Sequence, residues 1–456
     1  MVKPDSTTSS IATPLSRKAV TQYAVGSLGT GGFATLPGLV LVYYLTDTLG
    51  IAALAAGLIV TLAKVWDVII DPIIGARSDR GLAVRGSRRR FMVLGAVLLP
   101  VFFVLTFAVP PGTPQLVAGL WVLLAFILSA TAFSLFQVPY IALPAELSDN
   151  YDERTRLLTW RVVVLTFAIL LFGAGGPELR SLGGGSTFTG YLLMAVVAGI
   201  VIGVGMLVSS RVAPQLQQVK TTGLQPSLAE NYAAGIRALR RSQPFRALLL
   251  TFVLQGLATG LMLAGAQYVA TWVLHSESAV TLLFLALIAP ALFAAPLWGV
   301  VARRIGKERA FTIASSVFAI AALSLIGLLW VPGDWVYLPV GLAGAAYAGM
   351  QSLPMAMLPD VISHDASTHG DGQAGIFGGV WTAGETTGMA FGATVLTIVL
   401  AITGYIASTG AQAVEQPAQA VAGIVLSFSV VPAVLIGASL LSLSRYRLRK
   451  ADIARP

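Results

Sequence analysis

Apolar residues run along this chain in blocks of about twenty or more, and charged residues fall mostly in the gaps between them. Twelve such blocks stand out, near 20–45, 51–75, 91–109, 116–143, 157–175, 187–210, 247–273, 279–301, 309–331, 335–358, 374–404 and 418–443. An α-helix needs about twenty apolar residues to cross the hydrocarbon core of a bilayer, so the pattern predicts twelve transmembrane helices. The separators are turns such as Pro110-Pro111-Gly112 and Pro332-Gly333-Asp334, or clusters of basic residues. The longest break, 211–246, is polar, is expected to carry a surface helix, and divides the spans into two sets of six. The organisation expected is an N-terminal tail at 1–19, a six-helix bundle at 20–210, a central loop at 211–246, a second bundle at 247–444 and a tail at 445–456.

Composition agrees with the pattern. Of 456 residues 56% are hydrophobic and only 11% charged, where a soluble protein carries about a quarter charged. The 47 glycines suit helices that approach closely in lipid. A net charge of +9 would suit nucleic acid, but the basic residues sit in short loops between apolar spans, so the partner expected is the lipid bilayer and no nucleic acid. All but three of the 29 lysines and arginines fall on one side; the exceptions are Arg180 opposite and Lys64 and Arg161 within spans. By the positive-inside rule both termini are cytoplasmic, in a multi-pass protein of the cell membrane, a bacterial inner membrane. Loop 359–373, which has no basic residue, is the local exception. The absence of cysteine excludes disulfides, thiolate metal sites and cysteine nucleophiles. The polar, Ser/Thr-rich start leads into a long Gly-rich apolar run with no clear cleavage site, so no removable targeting peptide is expected.

One span breaks the apolar rule. The second holds Lys64, Asp67 and Asp71, which share one stripe of a helix. A charge at mid-membrane costs at least about 2.5–3.5 kcal/mol, so these three must face protein or a watery cavity. They form either a salt bridge that only joins helices or, with Lys64 neutralising one carboxylate, a site for a cation or proton at the other.

The halves repeat. Tyr44, Pro72, Gly75 and Arg80 recur as Tyr268, Pro296, Gly299 and Arg304 at an offset of 224, and Pro139, Pro144 and Ser148 recur as Pro354, Pro359 and Ser363 at 215. Two parallel six-helix halves resemble the major facilitator transporters, whose solute site lies near the midplane between them. The fold class expected is therefore all-α, a membrane protein with twelve helices in two pseudo-symmetric bundles. The loops GARSDRGLAVRGSRRR (75–90) and GVVARRIGKER (299–309) resemble that superfamily's gating loop. The resemblance implies that Gly75, Asp79, Arg80, Gly299, Arg303 and Arg304 serve the gate, Asp79 and the arginines latching the cytoplasmic ends. The charged stripe is not repeated: Lys64, Asp67 and Asp71 map to Ile288, Ala291 and Ala295, and this one-sidedness favours the cation reading.

YYLTD (43–47), KVWDVIIDP (64–72) and PDVISHD…GIFGGVW…GY (359–405) are similar to the glycoside–pentoside–hexuronide:cation symporters across nearly the whole chain. The resemblance implies that Asp67 and Asp71 bind the coupling Na⁺, Li⁺ or H⁺ and that Ser134 assists. The family's polar residue between the aspartates is Ile70 here, which tilts the ion toward H⁺. Its acidic sugar-gripping residues correspond to Gly31 and Gln137, which weakens a galactoside assignment, and its lysine of the eleventh span becomes Glu385. Arg161 corresponds to the family's arginine of the fifth span.

Glu385 is either a carboxylate paired with Arg161 or kept protonated, or a second protonation site or anchor for a cationic or polyhydroxylated solute. Lys64, Gln137, Tyr140, Trp160, Arg161, Gln255, Gln267, Tyr268, Gln351 and Trp381 are the other candidates to line the cavity, each with the alternative of a helix–helix bond or interfacial anchor. His364 and His369, near Asp365 and Asp371, read as a solvated loop rather than a metal cluster, and His275 as exposed.

The function expected is cation-coupled symport of a small organic solute, sugar or glycoside by the family resemblance, with H⁺ favoured over Na⁺. A non-sugar solute, lipid-like or cationic, is the alternative, and a non-transporting receptor or scaffold the second. An intramembrane aspartyl enzyme needs carboxylates meeting from separate helices, whereas Asp67 and Asp71 share one. No nucleotide-binding loop is present, no cofactor beyond the coupling ion is expected, and one chain with both halves suggests a monomer.

Overall fold

The computed structural model describes residues 15–148, 150–184, 186–214, 228–369, 374–409, 414–446 and 448, and among them all regular structure is helical. Twelve long helices succeed one another. The first six are α1 (Arg17–Thr48), α2 (Ala53–Arg85), α3 (Arg89–Thr106), α4 (Gln115–Leu147), α5 (Tyr151–Ser181) and α6 (Thr187–Ser210). The second six are α7 (Gln243–Val273), α8 (Ala279–Ile305), α9 (Lys307–Leu329), α10 (Tyr337–His369), α11 (Ala374–Ile402) and α12 (Ala418–Leu443). Eleven are long and apolar enough to cross a membrane by length and composition alone; α10 is the exception. It is the repeat mate of α4, equally 33 residues long, and lies against α8 and α9 as α4 lies against α2 and α3. That packing makes it the twelfth span.

The repeat reaches the packing. In the first half α1 meets α5 and α6, α4 meets α2 and α3, and α3 meets α6; in the second, α7 meets α11 and α12, α10 meets α8 and α9, and α9 meets α12. Between halves α2 lies on α11, α8 on α5, and α1 on α7, which is the pattern of a pseudo-twofold axis between α1 and α7. Both axial helices end in a wider π turn, Tyr44–Thr48 in α1 and Val269–Val273 in α7. Such turns are frequent at functional sites.

The expected surface helix of the central loop is Leu228–Arg241. The loop expected at 359–373 is helical as far as His369, so His364 sits half-buried in a helix rather than on a loop; the side chain of His369 and Asp371 lie outside the described residues. At about 1.5 Å per residue α2, α4 and α10 are about 50 Å long, well beyond the hydrocarbon core. Their polar ends on the side of the termini stay helical because ion pairs hold them. Asp365 of α10 bonds Arg241 of the surface helix, and Glu146 near the end of α4 lies 2.5 Å from Arg88.

Candidate functional site

The middle of α2 is held against α4 by a register of small and polar contacts. Trp66 Nε1 donates to Thr131 Oγ1 at 2.8 Å, Ser134 stands beside the Asp71 carboxylate, and a methyl group at Gly75 would sit 3.6 Å from Val138. Positions 131, 134 and 138 are one face of α4, so this face presents the Ser134 hydroxyl to α2. On α2, Lys64 Nζ lies 3.3 Å from Asp67 Oδ2. Asp67 is 8% exposed, and its Oδ1 is buried with no hydrogen-bond partner among the described residues. Asp71 Oδ1 is in the same state. Two carboxylates one turn apart thus each keep one buried oxygen unused, and a buried unsatisfied acceptor costs about 1–3 kcal/mol, more when charged. Among the described residues no group of three His, Cys, Asp or Glu could hold a metal ion.

Arg161 lies over the Tyr140 ring, 5.4 Å from its centroid, and pairs with no carboxylate among the described residues. Glu385, half-buried on α11, likewise has no ion-pair partner among them, so of the alternatives weighed for it the pair with Arg161 is not formed. Glu385 acts electrostatically on Tyr347, which is hydrogen-bonded by Gln351, so these three gather in the second half. Gln137 accepts from Thr30 at 2.7 Å, joining α4 to α1.

Several residues expected in the cavity are instead within the packing. Tyr140 is fully buried and bonds the Tyr23 carbonyl and Ser27, both at 3.0 Å. Gln255 bonds Ser315 at 2.8 Å and Gln267 bonds Thr271 at 3.2 Å, both buried. Trp381 is stacked on Phe252 with centroids 4.4 Å apart. Trp160 has the opposite fate: it is 51% exposed, on the stripe of the exposed Val163 and Phe167. An apolar aromatic side chain packs as readily against its own fold or lipid as around a solute, and the sequence alone does not separate these.

The loop expected to gate also differs in its residues. The arginine on Asp79 is Arg88, at 2.5 Å, and the same guanidinium reaches Glu146 at 2.5 Å and Ser78 at 2.9 Å. Arg80 is exposed on α2 and makes no ion pair among the described residues. Gly86, at φ 69°, ends α2 in the left-handed conformation that glycine adopts freely, and the chain turns there to bring Arg88 back. Arg303 and Arg304 are likewise exposed, and Lys307 makes the corresponding pair with Asp360 at 2.6 Å. Each latch lies within one half.

The ties between halves lie on the other face, away from the termini. Tyr405 donates to Asp47 Oδ1 at 2.5 Å, Thr46 lies 2.6 Å from the Tyr268 hydroxyl, and the Ser408 amide donates to the Thr46 carbonyl at 2.9 Å. Asp47 is 6% exposed. Burial, with the Asp47 carboxylate alongside, pushes the Tyr405 hydroxyl far above its usual range, so it stays a donor. Thr61 and Thr394 meet at 2.6 Å, Glu178 accepts from Thr281 at 2.9 Å, and Arg180 lies 3.6 Å from Glu277. A Cβ at Gly57 would approach the Thr397 Cβ to 3.0 Å, so only glycine lets α2 and α11 close here. The carboxylates Asp67 and Asp71 sit on the terminus side of these ties, about 9 Å beyond Thr61 for Asp67. In the sequence Asp47 figures only within YYLTD; the signal it offers there is an ionisable residue at the end of an apolar span.

The family model described as MFS/sugar transport protein matches residues 22–450. The chain is 26% identical over 454 residues to a putative glycoside/cation symporter YagG of Escherichia coli (strain K12), with 97% of this chain and 94% of that protein covered. It is also 26% identical over 388 residues to the sodium-dependent lysophosphatidylcholine symporter 1 of Mus musculus, covering 78% and 72%. Among solved structures the nucleoside transporter NupG superposes with a TM-score of 0.67 at 10% identity, covering 95% of this chain and all of that one, a likeness of fold. The resemblance to the glycoside–pentoside–hexuronide:cation symporters therefore holds, and the chain belongs to the MFS/sugar transport protein family.

Proposed function

We propose that the protein is a secondary active transporter in which a proton, entering at Asp67 and Asp71, moves with a sugar or glycoside across the cell membrane. The single observation that carries this reading is the pair of buried, unpartnered carboxylate oxygens beside one lysine. Lys64 balances one negative charge, and the other calls for one cation. With Ile70 between the aspartates and Ser134 the added oxygen, the ligands are few, which suits a proton better than a sodium ion.

The ties on the far face and the separate latches on the terminus face support a state closed outside and open inside, given cytoplasmic termini. From that state the cation is exchanged with the cytoplasm. Binding at α2 and solute binding between the halves strengthen each other by one common factor, since linkage is reciprocal. Glu385, without an ion-pair partner among the described residues, offers polar contacts to a hydroxylated solute from the second half together with Tyr347 and Gln351. One chain holds both halves, which supports a monomer acting as transporter and not as enzyme.

A second reading, a lysophospholipid solute, draws on the relative named for that substrate and on Gly31 and Gln137 standing where sugar-gripping acids are expected. Uptake into proteoliposomes separates the two. Accumulation of a methyl glycoside driven by an imposed pH gradient alone is expected; accumulation of lysophosphatidylcholine alone, or a need for Na⁺, overturns the sugar or the proton reading respectively. Glu385→Gln with unchanged uptake and pH dependence removes Glu385 from the account.

A further inference from the structure

A cavity of about 750 Å³ opens on the surface where α2 ends and α3 begins, lined by Arg85, Ser87, Arg89, Arg90, Val93, Leu94 and Val97. The transport reading does not use it. Its three arginines are exposed, and none has a carboxylate partner among the described residues, because Arg88 between them takes both Asp79 and Glu146. The first turn of α3 has no acidic residue, although a helix N-terminus favours negative charge. Its repeat mate α9 differs: Glu308 stands in its first turn and Lys307 is tied to Asp360. The start of α3 is therefore a concentration of positive charge that the chain leaves uncompensated.

The lower wall is apolar. Leu94 is 49% and Val97 51% exposed, and Val101, on the same stripe, 52%. Leu94 and Val97 lie about 6 and 10 Å along the helix from Arg90, toward the membrane interior. A free anion has no use for such a wall, whereas a molecule with an anionic head and an aliphatic tail fits both parts. We propose that this groove binds an anionic phospholipid, its phosphate among Arg85, Arg89 and Arg90 and its acyl chain along Leu94 and Val97. Basic pockets at the cytoplasmic ends of membrane helices take such head groups. Occupancy would brace the α2–α3 turn that carries Arg88.

Native mass spectrometry of the delipidated full chain, titrated with phosphatidylglycerol, tests this. Wild type is expected to bind phosphatidylglycerol and not phosphatidylcholine, and glycerol 3-phosphate in excess is expected not to displace it. Arg85→Ala/Arg89→Ala/Arg90→Ala should bind about a hundredfold more weakly, roughly fivefold for each arginine. The charge-matched Arg303→Ala/Arg304→Ala/Arg309→Ala should bind as wild type. Where the first triple variant fails to fold, single Arg→Gln variants should each show the fivefold step. Equal weakening in both triple variants, full retention in the first, or displacement by glycerol 3-phosphate overturns the proposal.

Discussion

The second helix of each half occupies the same place in its bundle, yet the two carry different chemistry. α2 lies on α4 and α8 on α10, each with a proline at the repeat position, Pro72 or Pro296. Where α2 holds Lys64, Asp67 and Asp71, α8 holds Ile288, Ala291 and Ala295. The packing frame is thus made without charge in one half. Replacing a buried ion pair by apolar residues is often neutral or stabilising, so packing alone does not call for the charges in α2. On the reading proposed above, they add a group able to gain and lose a positive charge at a helix that also touches the opposite half through Thr61 and Thr394.

That contrast breaks first at Asp67. Asp67→Asn leaves Lys64 without its carboxylate inside the span, and about 3 kcal/mol of stability is expected to go with it. Asp71→Asn removes a charge that has no ion-pair partner among the described residues, and is expected to leave the unfolding temperature unchanged or higher, while accumulation is lost. Scanning fluorimetry on both variants checks this; equal destabilisation would mean one structural ion-pair unit. Next in size, Asp47→Asn with Tyr405→Phe loosens the far face by about 1–2 kcal/mol, a five- to thirtyfold shift toward opening there. Spin-label distances across that face report it, and the absence of native cysteine makes the labelling clean. Ser134→Ala is expected to weaken cation binding about tenfold, read as a shift in the half-saturating ion concentration for uptake. Smallest, Ala291→Ser in α8 should change neither coupling nor stability by more than about 0.5 kcal/mol; a changed coupling ratio would show that α8 shares the ion site.

The spans and the repeat are legible in the sequence because lipid imposes them: every span must be apolar and about twenty residues long. The charged stripe is legible for the same reason, since Lys64, Asp67 and Asp71 stand against that background. Boundaries at the terminus side are less so, because α10 runs past Pro359 on the strength of a bond between Asp365 and Arg241 that spacing does not announce. The choice of Arg88 over Arg80 depends on the turn at Gly86, one of many glycines. Tyr140, Tyr268 and Trp381 read as cavity residues because polar aromatics suit a solute, but Tyr140 and Tyr268 spend their hydroxyls on bonds within the fold and Trp381 stacks on Phe252, its indole N–H alone left without a partner among the described residues. Asp47 gains its meaning only when Tyr405, far along the chain, closes on it.

The most direct measurement is solute flux through Asp67→Asn/Asp71→Asn in proteoliposomes, comparing uphill uptake with equilibrium exchange. Loss of accumulation with exchange retained is the predicted result, since the solute path stays and only the ion's hold on it goes. A gradient of solute built by this variant to the wild-type level would contradict the account.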